Sequence, residues 1–260
     1  MDQKITKILP EHDAPVCITG MHRSGTSTIT QLLYRCGLYL GPEKMLFSAR
    51  EDNPEGFWEH RGFVALNERI LELYGAGWDL PPSLEPEWHL EGQLHDVRED
   101  ARRLVDRFAG QGRWGWKDPR SSLTLPFWLD LLSELKVLVC LRNPLEVALS
   151  LRRRGNSSLA FSFNLWMIYY ERLLSALPED RFLVTHYDAY YLRPLRELRR
   201  VVDFLGLPAS DQLIAHARSS SIKDLRHYSF TLTELREAGA PEYLVELYVS
   251  MCRRARWDAK

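Results

Sequence analysis

Four short runs, at residues 15–19, 113–117, 136–141 and 181–186, are apolar almost without interruption and rich in β-branched or aromatic residues. Strands of this kind suit a parallel sheet buried on both faces, whose crossovers must be helices. The segments after three of the runs carry that pattern. After the first, Ile29, Leu32, Leu33 and Cys36 recur at i, i+3, i+4 and i+7, and Gly37 stops the helix. After the third, Asn143 caps, Pro144 takes the first helical position, Glu146 stands at capping-box spacing, Leu145, Ala148 and Leu149 form a buried face and Gly155 ends it. After the fourth, Pro194 opens a helix carrying Leu195, Leu198, Val201, Val202 and Leu205 up to Gly206. Strand, turn and helix repeated three times predict an α/β fold, a three-layer sandwich with a central, mainly parallel sheet of four to five strands and right-handed crossovers.

Between the first two runs lies a long insert, 38–112. It holds a helical pattern at 63–74, with Phe63, Leu66, Ile70 and Leu73 on one face, and another from about 89 to 108. A Gly, Pro and Trp-rich loop at 75–88 separates them. The aromatic segment 159–174 reads as a helix made chiefly for core packing, part of which can line a pocket. With no internal repeat and no composition break, one domain over 1–260 is expected.

The balance of charges is −1, which gives no general attraction to nucleic acid or to an anionic membrane, so any anion site must be local. No apolar run approaches the roughly 18 residues of a membrane helix, and the first 13 residues lack a signal-peptide core, so a cytoplasmic location is expected. Cys17, Cys36, Cys140 and Cys252 are far apart, and the first three sit in apolar patterns, as buried free thiols do.

A local anion site is legible after the first run. Gly20 and Gly25 occupy the glycine positions of G-x-x-x-x-G-K-[ST], but Thr26 stands where the lysine belongs, and the loop's cation is Arg23. Ser24, Thr26, Ser27 and Thr28 add hydroxyls at a helix N-terminus, where backbone N–H groups favour anions. An enzyme that handles a triphosphate needs the missing lysine, and a metal held partly by a downstream aspartate. Here the third run ends in Arg142, and Lys117 precedes Asp118 at the end of the second. These cations suit a ligand neutralised by side chains, with no metal. If Asn143 caps its helix, Ser150 lies nearly two turns on, with its hydroxyl aimed back at Arg142. The pair is open to two readings: a second phosphate site, or a tolerated helical serine beside a solvated or carboxylate-paired arginine.

The loop at 22–28 and the segment 140–155 together resemble the two cofactor motifs of sulfotransferases that use 3′-phosphoadenosine 5′-phosphosulfate (PAPS). In that family the first motif holds the 5′-phosphosulfate, which implies roles for Arg23, Ser24, Gly25, Thr26, Ser27 and Thr28. The second holds the 3′-phosphate through an Arg and a Ser eight residues on, the spacing of Arg142 and Ser150. Similarity continues through 114–122 and 186–208, where Tyr187 and Asp188 fall on the family's Tyr-Glu-Asp segment. The chain departs from cytosolic animal members at Arg23, which replaces a Lys, and at Asp188, which replaces a Glu. Their basic-glycine motif has no copy near the C-terminus, and Arg226 is its substitute. The resemblance implies a P-loop-like fold, PAPS as donor substrate and no metal. It also implies 3′-phosphoadenosine 5′-phosphate (PAP) as product and a small-molecule, lipid or carbohydrate acceptor, with the oligomeric state left open.

Sulfuryl transfer needs cations on the sulfuryl and bridging oxygens and a base for the acceptor's proton. Arg23 and Lys117 are expected as the cations. For the base the order is Glu59, then His60, then Asp118, because 53–59 resembles an active-site segment of bacterial sulfotransferases. Two further classes stay open, a P-loop kinase-like phosphotransferase and a non-catalytic PAP-binding module. Binding of ATP with Mg²⁺ would mark the first, and PAP binding without turnover the second.

Overall fold

The structure is a computed structural model and describes residues 14–48, 56–155, 157–219 and 229–259. The four apolar runs form β1 (Val16–Thr19), β2 (Gly115–Lys117), β3 (Lys136–Leu141) and β4 (Phe182–His186). They make one sheet in the order β2-β1-β3-β4, every neighbouring pair parallel, with Cys17 opposite both Trp116 and Val137 and Val139 opposite Val184.

Alternation along these strands gives the sheet two apolar faces. On one, Val16, Ile18, Leu138 and Cys140 pack with α1 (Thr26–Arg35), α8 (Pro194–Leu205) and α9 (Asp211–Ser219), through Ile29, Leu32, Leu198, Val201 and Ile214. On the other, Cys17, Val137, Val139 and Leu141 pack with α2 (Arg61–Leu73), α3 (His95–Asp106), α4 (Ser121–Leu131), α5 (Pro144–Gly155), α6 (Leu159–Ala176) and α11 (Glu242–Arg254). Two short helices, α7 (Ala189–Leu192) and α10 (Leu232–Glu237), complete the set among the described residues. The result is the expected three-layer α/β sandwich, with four strands.

Several expected boundaries hold because their punctuation acts as physics requires. Gly37 (φ 97°) and Gly206 (φ 68°) take the left-handed conformation that ends α1 and α8. The pattern at 89–108 is shorter as an α-helix than expected, since two 3₁₀ turns precede α3. Helix α4 lies in a segment with no expected helix. Seven of its residues are buried around its whole circumference, so no polar stripe marks it, and Pro126 sits inside it.

Edge strand β2 rests on an aromatic stack. Phe63 lies 4.5 Å from Trp116 with rings 4° apart, Phe108 is 4.7 Å from Trp114, and Trp116 is 5.0 Å from Trp128. Gly115, between the two tryptophans, lets the strand approach β1: a Cβ there would stand 2.3 Å from the Val16 carbonyl oxygen. All four cysteines are buried free thiols. No helix among the described residues is long and apolar enough to cross a membrane.

Candidate active site

The carboxyl ends of β1, β2, β3 and β4 share one edge of the sheet, where a parallel α/β fold offers its loops to ligands. The β1–α1 loop is threaded between its neighbours, and both of its glycines are obligatory. A Cβ on Gly20 (φ 138°) would stand 2.3 Å from the Cys140 carbonyl oxygen on β3. One on Gly25 (φ 84°) would stand 2.1 Å from the ring of Tyr187, just past β4. Arg23 also takes positive φ, 70°, which costs a non-glycine residue roughly 1 kcal/mol or more. Helix α1 opens at Gly25 without a side-chain cap, the arrangement in which a helix N-terminus offers its N–H groups to an anion.

The loop's hydroxyls do not all face outward as the sequence reading expected. The Ser24 side chain is fully buried, and its Oγ bonds the Tyr170 hydroxyl at 3.1 Å, which in turn donates to the Cys140 carbonyl at 2.6 Å. That hydroxyl therefore braces the loop from beneath and is not presented to a phosphate. Thr26 and Thr28 are buried in the first turn of α1, while Ser27 is half-buried with its Oγ 3.4 Å from the Phe57 carbonyl oxygen. Gly20 N donates to Ser122 Oγ at 3.1 Å, which ties the loop to α4.

The two motifs, far apart in sequence, meet here. Arg23 Nε donates to Ser150 Oγ at 2.9 Å, and an Nη of Arg142 donates to the Arg23 carbonyl at 3.3 Å. The guanidinium of Arg23 thus lies toward the second motif, where the expectation had put it at the transferring end. Arg142 is buried. Its Nε donates to Glu146 Oε2 at 2.7 Å, and its guanidinium lies 4.3 Å above the Tyr187 ring. Tyr187 thereby contacts both Gly25 and Arg142, and its hydroxyl pairs with that of Tyr191 at 2.6 Å.

Asn143 caps α5 as expected, its Oδ1 accepting from Leu145 N at 2.9 Å. Glu146 does not complete a capping box. Its carboxylate is spent on Arg142 and on Phe230 N at 3.4 Å, and Asn143 Nδ2 reaches the Phe230 carbonyl at 2.9 Å. Burial pushes the Glu146 carboxyl up, and Arg142 pulls it back. Arg226 lies outside the described residues, as do Asn53 and Pro54.

At the end of β2, Lys117 is buried and donates from Nζ to Glu59 Oε1 at 2.8 Å. Asp118 is wholly buried: Oδ2 accepts from Asn67 Nδ2 at 2.8 Å, and Oδ1 accepts from the Arg120 backbone and side chain at 3.0 Å each. Burial raises its carboxyl despite Arg120. Asn67 also accepts from Thr124 and Trp128, so Asp118 belongs to a pin joining α2 to α4. His60 caps α2, its Nδ1 accepting from Gly62 N at 3.1 Å, between the rings of Phe63 and Phe108. Burial, then Arg107, lowers it to about 4. Of the three expected bases, two are built into the helical scaffold and the third holds Lys117.

One titratable residue of the loop escaped the sequence reading. His22, next to Arg23, is buried beside Trp78 and Tyr169. Burial, then Arg120, Lys117, Arg154 and Arg23, hold its imidazole well below the ordinary histidine range. Its place inside the glycine-bracketed loop was the available signal.

A family described as the Sulfotransferase family matches residues 15–211. Among solved structures, a sulfotransferase from Mycobacterium avium aligns over 97% of this chain and 78% of its own, with a TM-score of 0.60 and 17% identity. The sulfotransferase domain of the Synechococcus PCC 7002 olefin synthase aligns over 96% and 98%, with a TM-score of 0.53 and 20% identity. The sulfotransferase domain from the curacin biosynthetic pathway aligns over 95% and 99%, with a TM-score of 0.50 and 17% identity. At such identities the likeness is one of fold. No curated protein matches.

Proposed function

Because the chain belongs to the sulfotransferase family, we propose that it moves a sulfuryl group from PAPS to a hydroxyl or amine of a small-molecule, lipid or carbohydrate acceptor and releases PAP. The observation that carries this reading is the junction of the two motifs, Arg23 on Ser150 and Arg142 on the Arg23 backbone. An arginine and a serine spaced to hold one phosphate are joined directly to a glycine-bracketed loop suited to another. A bisphosphorylated nucleotide needs both at once, whereas a triphosphate needs neither the second arginine nor its serine.

In this reading Gly25, Thr26, Ser27 and Thr28 supply the N-terminal edge of α1 to the 5′-phosphosulfate. Arg142 and Ser150 hold the 3′-phosphate, and Arg23 spans the two. Tyr187 sets the plane of Arg142 from below, since a guanidinium stacked on an aromatic face keeps its N–H groups directed outward. Ser24 acts from beneath the loop. Lys117, held by Glu59, is the cation for the charge that develops on the leaving phosphate, and the cost of burying it is met by that ion pair. Neutralisation by Arg23, Arg142 and Lys117 supports a transfer that needs no metal. The acceptor enters beside the 38–112 insert, whose loop at 75–88 is tied to α6 through Tyr169 Oη on the Trp78 carbonyl at 2.8 Å.

The test is turnover. Incubation with ³⁵S-labelled PAPS and a panel of phenols, sterols, sugars and amines should label at least one acceptor and release PAP in equal amount, with EDTA present. Label that stays on PAPS throughout, with phosphate transfer from ATP instead, would replace this reading with the phosphotransferase one.

A further inference from the structure

Sulfuryl transfer to a hydroxyl sets a proton free, and the loop holds a group suited to receive it. His22 is only 9% exposed, its ring centroid lies 4.6 Å from Trp78 and 6.0 Å from Tyr169, and its Nε2 is buried with no hydrogen-bond partner. A buried polar atom left unpaired costs about 1–3 kcal/mol. Such a cost inside a binding loop marks a group whose partner arrives with the ligand. The other candidates are engaged: Glu59 with Lys117, His60 with Gly62 N, and Asp118 with Asn67 and Arg120.

Burial, and then the charges of Arg120 at the start of α4, Lys117 at the end of β2, Arg154 on α5 and Arg23 in its own loop, act against a positive charge on His22. From α6 it meets Tyr169, a neutral phenol that burial pushes up out of the range in which it would ionise. In this setting the imidazole carries no charge, and Nε2 is a nitrogen able to accept a proton.

We propose that His22 Nε2 takes the proton of the acceptor hydroxyl, and that it becomes a competent base only when the anionic donor is seated in the loop. This rests on the sulfotransfer reading. The acceptor oxygen bonds to sulfur as its proton passes to Nε2. The bond from sulfur to the 5′-phosphate oxygen breaks, and its electron pair stays on PAP. The imidazolium returns its proton to water once the products leave. The gating is electrostatic. With the loop empty, burial, and after it four cations, oppose a positive charge on His22. A polyanion held by Arg23 and Lys117 cancels much of the cations' field and raises the basicity of His22, while the effect of burial stays. The base is thereby withheld until a donor is present. Glu59 then serves as the positioning residue for Lys117, and the indole of Trp78 is the wall against which the acceptor hydroxyl is placed.

Two readouts on the full chain test this. In protein labelled with ¹⁵N-histidine, with the His22 signal assigned by its loss in His22→Gln, the ring should stay neutral from pH 8 to 5.5 without ligand. It should titrate at distinctly higher pH when saturated with PAP, while His60 does not move. A His22 signal that titrates identically with and without bound PAP overturns the gating. In turnover, followed as PAP release from PAPS with water or a screened acceptor, His22→Gln and His22→Asn should keep PAP affinity within about 3-fold and lose about 100-fold or more in kcat. Unchanged kcat in a folded His22 variant, with loss confined to Glu59→Gln, overturns the assignment and returns the base to Glu59. If the wild-type protein binds no PAP, the sulfotransfer reading itself fails, and calorimetry alone detects that outcome.

Discussion

The aromatic stack at β2 and the glycine-bracketed loop after β1 lie in one fold and are built by opposite rules. In the stack two indoles have their polar handles met: Trp128 Nε1 donates to Asn67 Oδ1 at 2.8 Å and Trp116 Nε1 to Ser121 Oγ at 3.1 Å. The rings of Phe63, Trp114, Trp116 and Trp128 are buried to within 2%. In the loop a non-glycine residue, Arg23, sits at positive φ, and Nε2 of His22 is buried without a partner. The stack stabilises, and the loop carries an unmet bond and strain that a ligand can relieve.

If that contrast is right, damage to the two regions should separate cleanly. The largest effect on stability should come from Trp116→Ala, which removes a fully buried ring and should cost about 3–5 kcal/mol in urea unfolding. At 15 °C, well below its melting point, the variant should still bind PAP within a few-fold of wild type. Gly25→Ala should do the reverse. Its Cβ meets Tyr187 in a left-handed backbone, so a stability loss of roughly 2 kcal/mol should accompany loss of measurable PAP binding by calorimetry. Equal damage by both changes to both properties would dissolve the distinction.

A smaller effect concerns acid. His60 is lowered to about 4 from an ordinary 6.5, so between those values the unfolded chain takes up a proton that the native cap refuses. Stability is therefore complete above pH 6.5 and declines as pH falls below it, by about 2 kcal/mol at pH 5. His22 is shifted in the same direction and adds to the slope when no ligand is bound. His60→Asn keeps a capping side chain and should flatten the decline between pH 7 and pH 5. Smallest of all, Ser150→Ala should weaken PAP about 10-fold, the value of one hydrogen bond to a charged group, without changing the urea midpoint measurably.

The sheet was legible because each of its strands is an apolar run, and α1, α5 and α8 because glycine, proline and asparagine mark their ends. Helix α4 was not, since burial on all sides erases the periodicity that reveals a helix. At the site, helical spacing aimed Ser150 back along α5, and there its hydroxyl meets Arg23. The structure shows Arg142 carboxylate-paired, to Glu146, as one of its two readings had it. Glu146 and Ser24 misled for a shared reason. Each has a local use visible in sequence, a cap and a phosphate hydroxyl, and each is taken by a distant partner, Phe230 for one and Tyr170 for the other. The position of His22 inside the loop was visible, but its burial was not, because that comes from Trp78 and Tyr169, which no local pattern connects to the loop.

The central claim is that the loop and the second motif form one site for a bisphosphorylated nucleotide, and calorimetry with PAP tests it most directly. The wild-type chain should bind PAP in EDTA, and prefer it to ATP with Mg²⁺. Arg142→Gln combined with Glu146→Gln, which leaves no unpaired buried charge, should weaken PAP by about 100-fold. PAP binding that survives this double change unaltered, or a wild-type protein that takes up Mg²⁺-ATP and ignores PAP, would contradict the account.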